Sequence, residues 1–393
     1  MSDPAVMVCT DPGVPVFGRK GASVHAQQVL RQLVRRYDRV HLVTCRPGGP
    51  PPAGLEAVQV HALPRPGGDD AAARERVVAA LDPHVVRVLD AVAAAEGQPA
   101  LVYQRYGLWS CEPMEHARRR GWPSVLEVNA PLPEEQARHR VLVDRAEAER
   151  RTTRALAAAA LPYAVSAPVA EWAERSCPGV TVPVVANGVD VAAFTPADRP
   201  RDGRVLAFTG TFRPWHGVDL LVEAAGRLVR DSGDRGDGGE GTSLLLVGDG
   251  PELPRALGRA EQLGVPVRAT GVVAPDEVPA LLATADVGTA PYPAGDHYFS
   301  PLKVAEYLAA GLPTVAADVA GLSERVADGR EAVLVPPGDV DALTTALRSL
   351  RDDPGLRARL ARDGRAAAVR RMSWDRVVDR VLALLPATAG VRR

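Results

Sequence analysis

Residues 5–9 read AVMVC, a short run with no polar break, and 21–37 read GASVHAQQVLRQLVRRY, where apolar residues return every three or four positions. The first pattern predicts a buried strand and the second an amphipathic helix. RVHLVTCR at 39–46 predicts the next strand and completes a βαβ unit. ALVYQRYG (100–107), PSVLEVNAP (123–131) and ALPYAVSAP (160–168) repeat the strand pattern. The Ala-, Arg- and Glu-rich stretch 134–160 predicts one long helix between the last two. Short apolar strands alternating with helices predict a parallel sheet covered on both faces.

The rhythm breaks at 182–203, VPVVANGVDVAAFTPADRPRDG, which is rich in Pro, Gly and Asp. An interdomain linker is expected around 187–203. A second βα series follows: RVLAFTGTF, VDLLVEAAGRLVR, SLLLVGDG, PELPRALGRAEQLG, VPVRATGVV and VPALLATADVGTAPYP. Near 300 comes SPLKVAEYLAAGLPTV. Ser300 suits an N-cap, Pro301 the first helical position, and Gly311 a helix stop before the strand TVAA. The segment 231–243, DSGDRGDGGEGTS, has the composition of a surface loop, with cation binding by its acidic residues as the alternative. MSWDRVVDRVLALL at 372–385 predicts a final amphipathic helix. The organisation expected is an N-terminal Rossmann-like domain over 1–190, a second over 200–372, and a closing helix about 373–393.

A chain of 393 residues suits two such domains. Its net charge of −1 gives no electrostatic reason to expect nucleic acid as a partner. The four cysteines, Cys9, Cys45, Cys111 and Cys177, are far apart in sequence, so no metal or redox motif is expected. MSDPAVMVCT lacks a basic segment ahead of an apolar core, and no run reaches the ~20 strongly apolar residues of a membrane span. A cytoplasmic protein with no transmembrane segment is expected, with peripheral membrane contact left open.

Four loops could carry chemistry at the carboxyl ends of the two sheets, where ligands of α/β proteins collect. GVPVFGRKGASVHAQ (13–27) is Gly-rich but fails the GxGxxG spacing, which disfavours a dinucleotide dehydrogenase. Amides near Gly21 could still approach a diphosphate. GTFRPWHGVD (210–219) carries Arg213 and His216, a polar pair suited to a pyrophosphate leaving group or to a solvated turn. LVGDGPE (246–252) is a strand end and tight turn. In the fourth, bare amides at Leu302 and Lys303 could bind an anion. Glu306 lies one turn further on the same face and could accept hydrogen bonds from a ribose diol, or form a structural ion pair.

These loops, in this order, resemble the family-4 glycosyltransferases of the GT-B fold. GRKGASVH, VLEVNAPLPEE, VPVVANGVDVAAFTP and above all SPLKVAEYLAAGLPTVA followed by GLSERVADGREAVLVPPGD carry the resemblance over nearly the whole chain. It implies two Rossmann-like β/α/β domains facing a cleft, with the last helix, containing Trp374, crossing back to the first domain. It implies transfer of a sugar from a nucleotide diphosphate sugar, UDP-linked by expectation, with retention and without a metal or other cofactor. By position, Gly21 approaches the β-phosphate. Arg213 and His216 stabilise the departing diphosphate. Ser300, Pro301, Leu302 and Lys303 form the helix-terminal phosphate site, Glu306 holds the ribose, and amides of Gly271 and Val272 read the base.

The chain departs from the family pattern in three places. Tyr298 stands eight residues before Glu306, where the first Glu of a Glu-x7-Glu pair is common. The phosphate-binding Arg and Lys commonly sit at the positions of Thr211 and His216; Arg213 is displaced by two residues, and His216 carries charge only when protonated, which a diphosphate would favour. Asn129 replaces a frequent His and cannot act as a base. Ser23, His25, Tyr103, Arg105, Asn129, Glu134 and Tyr298 are the candidates for contacting substrate. The acidic cluster PEE at 133–135 reads first as a solvated helix start, with reception of a cationic acceptor, an amino sugar or aminocyclitol as in antibiotic assembly, as the functional alternative. A cell-envelope lipid or exopolysaccharide acceptor, a UDP-sugar 2-epimerase and a non-enzymatic sugar-nucleotide binder are the alternatives, and a homodimer is compatible with the sequence.

Overall fold

The computed structural model describes residues 3–231, 241–298 and 300–386. The loop expected at 231–243 falls mostly outside them. The chain forms two compact units: Met1–Asn187 with Tyr298–Ser300 and Val377–Arg393, and Gly188–His297 with Pro301–Arg376.

The first unit is built on six parallel strands: β1 (Ala5–Cys9), β2 (Val40–Thr44), β3 (Gln59–Ala62), β4 (Leu101–Arg105), β5 (Ser124–Val128) and β6 (Leu161–Ala164). Their order is β3-β2-β1-β4-β5-β6. All the residues of β1, β2, β5 and β6 are buried, which is why these strands read as continuous apolar runs. β3 lies at the sheet edge and reads QVHA, without an apolar run to announce it. From Val377 onward the last helix, Trp374–Leu384, belongs to this unit. Arg36 holds it with an ion pair to Asp379 at 2.6 Å.

The single helix expected over 134–160 is two helices, Leu132–His139 and Arg145–Ala158. Arg140 is extended, and Asp144 caps the second helix by accepting from the Glu147 amide at 2.9 Å. The break is held from a distance in sequence. The Glu75 carboxylate accepts from the amides of Val143 and Asp144 at 2.8 and 3.0 Å. That tertiary demand overrides the local helical propensity.

The second unit repeats the plan with β7 (Val205–Thr209), β8 (Ser243–Val247), β9 (Val267–Ala269), β10 (Val287–Ala290), β11 (Thr314–Ala317) and β12 (Val333–Val335), all parallel in the order β12-β11-β10-β7-β8-β9. Each sheet is a doubly wound α/β arrangement in which β1 and β7 are central strands, and their carboxyl ends are where the chain order reverses. Between Ser176 and Val205 the chain makes only isolated bridges, such as Ala164 to Val184. No helix among the described residues is long and apolar enough to cross a membrane.

Candidate functional site

In the second unit the loop after β7 is held in an uncommon backbone. Gly210 has φ +154°, Phe212 is a non-glycine residue at φ +38°, and Gly217 lies at +65°. Neighbouring turns press onto this loop so closely that side chains are excluded. A Cβ on Gly248 would meet the Gly210 carbonyl at 2.0 Å, and one on Gly250 the Thr211 carbonyl at 1.9 Å. The turn LVGDG is therefore glycine-rich because backbone packs on backbone there. Strain gathered at one strand end marks a place where the fold over-determines a conformation.

Facing this loop is the helix Leu302–Ala309. Its N-cap is Pro301, with no side-chain cap, so Ser300 is not the cap and Pro301 is not the first helical residue. The helix begins one residue later than its sequence suggests, because Pro301 (φ −74°, ψ 80°) is itself outside the helical region. The amides of Leu302 and Lys303 lie in the first turn and have no intrahelical acceptor. At the other end Gly311 (φ +61°) closes the helix, with Gly311 N–H donating to Leu308 and Leu312 N–H to Tyr307 at 3.0 and 2.9 Å.

Lys303 points inward. It is buried, and its Nζ lies 4.2 Å from the centroid of the Phe208 ring and 5.0 Å from that of Tyr292. Burial pulls its ammonium down to about 7, with Glu306 pulling the other way. Glu306, one turn along, keeps part of its surface exposed. Burial pushes its carboxyl up to about 7, opposed by Lys303.

His216 sits on the short 3-10 turn Pro214–His216, within aromatic contact of Phe208, Trp215 and Tyr292. Burial first, then the charges of Lys303, Arg213 and His297, lower its imidazole to about 3. With no anion beside it, the imidazole is held in its neutral form. Arg213 is exposed and stacks over Trp215, its Cζ 6.0 Å from the ring centroid. Gly271 (φ +67°) ends the β9 loop and accepts from the Gly248 amide at 3.1 Å, and Val272 beside it is 82% exposed. Lys303, Glu306 and His216 are gathered round the end of β7.

The first unit holds a second polar centre that the sequence reading missed. Glu127, on β5, is fully buried. Its carboxylate takes His25 Nε2 at 2.6 Å and Arg105 at 3.1 Å. It also accepts from the hydroxyls of Tyr103 and Tyr163. Burial alone would raise this carboxyl; the charges of His25 and Arg105 and the Tyr103 hydrogen bond outweigh it and hold the group well below the usual range. A lone Glu in an apolar strand, VLEV, was the available signal, since a buried charge needs partners.

His25, Tyr103 and Arg105 therefore come together, around Glu127. Tyr103 is 1% exposed, and its hydroxyl is engaged by Glu127 and Tyr163, which makes it a support for the carboxylate. Ser23 is fully buried. Asn129, just past β5, is half-buried and its Nδ2 donates to the Glu127 carbonyl at 3.3 Å. Glu134 is exposed in the first turn of its helix. Gly21 opens the helix Gly21–Arg36, and a Cβ there would meet nothing within 4 Å. Tyr298 packs against the apolar core of this unit, its carbonyl accepts from Ser166 Oγ, and its phenol bonds Glu135. Among the described residues no group of three or more His, Cys, Asp or Glu side chains is set to hold a metal.

Comparison with known proteins places this geometry in a family. Over 229 residues the chain is 35% identical to D-inositol 3-phosphate glycosyltransferase of Salinispora tropica, covering 51% of this chain and 45% of that one. It is 34% identical over 215 residues to glycogen synthase of Mycobacterium tuberculosis, covering 53% and 49%. These matches span about half the length of the curated relatives. Among solved structures, Anabaena HepE in complex with UDP and glucose superposes with TM-score 0.68 at 18% identity over 98% of this chain and 99% of that one. WaaG, a glycosyltransferase involved in lipopolysaccharide biosynthesis, gives 0.67 at 17% over 98% and 100%. These likenesses establish the GT-B fold. The model described as Glycosyltransferase Family 4 matches residues 19–193, and that described as Glycosyl transferases group 1 matches 203–353. Taken together across both units, they make this chain a member of the family-4, group 1 glycosyltransferases.

Proposed function

We propose that this chain is a retaining glycosyltransferase that moves a sugar from a nucleotide diphosphate sugar, UDP-linked, to a hydroxyl of a small-molecule acceptor. The observation that carries the reading is the start of the helix Leu302–Ala309. Amides without intrahelical partners and a reachable carboxylate, Glu306, stand one turn apart there. That spacing suits a phosphate and the ribose diol of one nucleotide. The UDP complex of HepE, a protein of the same fold, supports uridine as the base. Amides of Gly271 and Val272 would meet that base.

The chemistry is a front-face substitution. The bond from the anomeric carbon to the diphosphate oxygen breaks, and the acceptor oxygen bonds to the same face. The acceptor proton passes to the departing diphosphate oxygen. The protein's part is to stabilise charge on that oxygen, through the helix amides, Arg213 and a neutral imidazole N–H of His216. Each such donor is worth ~3–4 kcal/mol in the transition state. Residues of the first unit, Asn129, Arg105 and Glu134, would meet the acceptor, and no metal is needed for these steps.

A cyclitol is the acceptor class we favour. Relatives are named for inositol phosphate and for phosphatidyl-myo-inositol, and the exposed Glu134 would favour an amino-substituted ring. The lipid-linked form is the second reading, carried by a relative 31% identical over 215 residues, the phosphatidyl-myo-inositol mannosyltransferase of Mycobacterium tuberculosis. The test is a thermal-shift screen of UDP-glucose, UDP-N-acetylglucosamine, UDP-xylose and GDP-mannose. Mass spectrometry of products with free and lipid-linked cyclitols follows. A glycosylated cyclitol supports the proposal. Acceptor-independent conversion of the donor sugar would identify a 2-epimerase, and binding with no turnover on any acceptor would leave a binding protein.

A further inference from the structure

His41 on β2 stands opposite Gln59 on the edge strand β3, and His61 is two residues further along β3, so both histidines lie on one face of the first sheet. Their rings meet: His41 Nδ1 is 3.0 Å from His61 Nε2. On its other side His41 Nε2 is 3.1 Å from Oε2 of Glu96, the last residue of the helix Asp82–Glu96. The Arg39 guanidinium closes the row, 3.2 Å from the same carboxylate oxygen. His41 is 1% exposed and His61 is half-buried. The row lies at the amino end of β2, and no step of the proposed transfer uses it.

A carboxylate can only accept, so His41 Nε2 carries a hydrogen and Nδ1 of the neutral ring is left as an acceptor. His61 must then donate from Nε2, and the contact has room for one hydrogen. A first added proton can sit on His61 Nδ1 with this bond intact. A second would go onto His41 Nδ1, and two N–H groups of like-charged rings would then face each other. Burial and the neighbouring His41 hold the His61 imidazole below its ordinary 6.5, with Glu96 pulling the other way. Among the described residues, Glu96 from the helix and Arg39 from the turn before β2 are the charged groups facing the pair. β1 sets Ala5, Val6 and Met7 alongside, which do not titrate, and His61 is the one titratable residue of β3.

Little else holds the side chains of β3. Gln59 and Ala62 are exposed, and Val60 and His61 are half-buried. Leu55 and Val58 before the strand and Leu63 after it are buried and anchor the chain on either side. We propose that the His41–His61 hydrogen bond is an acid-sensitive latch on β3, closed while the pair holds no more than one added proton and released when each ring carries its own. Once β3 lifts away, His61 takes its proton in water and no longer bars one from His41. Opening therefore takes up at least one proton below the ordinary 6.5 of a free imidazole, and the open fraction grows as pH falls. Above that pH open and closed states hold the same protons, and the latch contributes in full.

The experiment is hydrogen–deuterium exchange of the full chain at pH 7.5 and 5.5, read by mass spectrometry on peptides that cover β3, with each rate corrected for the pH dependence of free amides. His61→Phe, which keeps an aromatic ring and cannot titrate, is run beside wild type. Nitrogen-15 spectra of labelled histidine rings give the tautomers. In wild type the open fraction of β3 should rise about tenfold from pH 7.5 to 5.5, the effect of one proton, while peptides of β1 and β4 stay unchanged. In His61→Phe the protection of β3 should not vary with pH. His41 should carry its hydrogen on Nε2 at pH 7.5. Protection of β3 that is constant in wild type overturns the proposal. So does equal acid opening in His61→Phe, or a His41 hydrogen on Nδ1. If His61→Phe seats β3 at neither pH, wild type decides alone: the tenfold opening together with the Nε2 hydrogen keeps the latch, and the loss of either ends it.

Discussion

His25 Nε2, on the helix Gly21–Arg36, lies 2.6 Å from Glu127 Oε1 on β5, and both residues are almost wholly shielded from water. The pair is the centre of a network that also engages Arg105, Tyr103 and Tyr163. Removing one partner from such a network leaves uncompensated charge. Glu127→Gln is expected to destabilise the protein by about 3–5 kcal/mol, read from chemical denaturation. The native carboxyl is held below its ordinary range, so its contribution is full above that range and fades as pH falls through it. Wild type and variant should converge in stability on acidification, and a constant gap would refute the ion-pair account.

Arg213 is exposed, so its loss should leave folding alone. Arg213→Ala is expected to lower turnover about 10²-fold, measured as UDP release, with a melting temperature within a degree of wild type. A loss under threefold would remove Arg213 from the reaction.

Glu306 would hold the ribose. Glu306→Leu should weaken UDP by roughly 10- to 100-fold, the range of hydrogen bonds to a charged group. Wild type should prefer UDP over 2′,3′-dideoxy-UDP, and the variant should not. Retained discrimination would place the ribose elsewhere.

Gly21 has open space where a Cβ would go, so the protein itself does not require glycine there. Gly21→Ala should leave stability unchanged or raise it by up to about 1 kcal/mol. It should nonetheless weaken donor binding if the β-phosphate approaches this backbone. Unchanged donor affinity would dismiss that contact.

Lys303 and Glu306 make a pH-dependent contribution whose sign can be worked out. Lys303 moves from 10.5 unfolded to about 7 folded, so between those values the unfolded state binds more protons and stability rises with pH. Glu306 moves from 4.5 to about 7, so between those values the native state binds more and stability falls with pH. Together they create a trough near pH 7, with slopes of up to about 1.4 kcal/mol per pH unit. The double variant Lys303→Met, Glu306→Leu should gain most over wild type at that pH. A gain that does not vary with pH would contradict the pair's titration.

The residues that fold the two sheets were readable because parallel strands buried on both faces leave apolar runs such as SLLLV and AVMVC. β3 was not, because QVHA at an edge leaves no such run. The break at 140–144 was hidden since its cause, Glu75, lies far away in sequence. The helix that starts just after Ser300 and the place of Glu306 one turn into it were legible from helix-terminus chemistry. Glu127 and the inward ammonium of Lys303 were present as anomalies, a charge in a buried strand and a Lys on the apolar face of LKVAEYL. What they touch depends on pairings across the sheet, which no local pattern carries.

Tyr307 also has a consequence for how the second unit works. Its ring passes over Gly288, where a Cβ would come within 2.5 Å of it, and its hydroxyl accepts the Thr209 amide at 2.8 Å. One residue past Thr209 is Gly210, and one turn before Tyr307 is Lys303. The phenol is thus a strut of fixed length between the loop and the helix. The spacing between Gly210 and Lys303 is set when the unit folds, ahead of any encounter with an anion. Grafting this loop onto a related scaffold should succeed only if Thr209, Gly288 and Tyr307 travel with it.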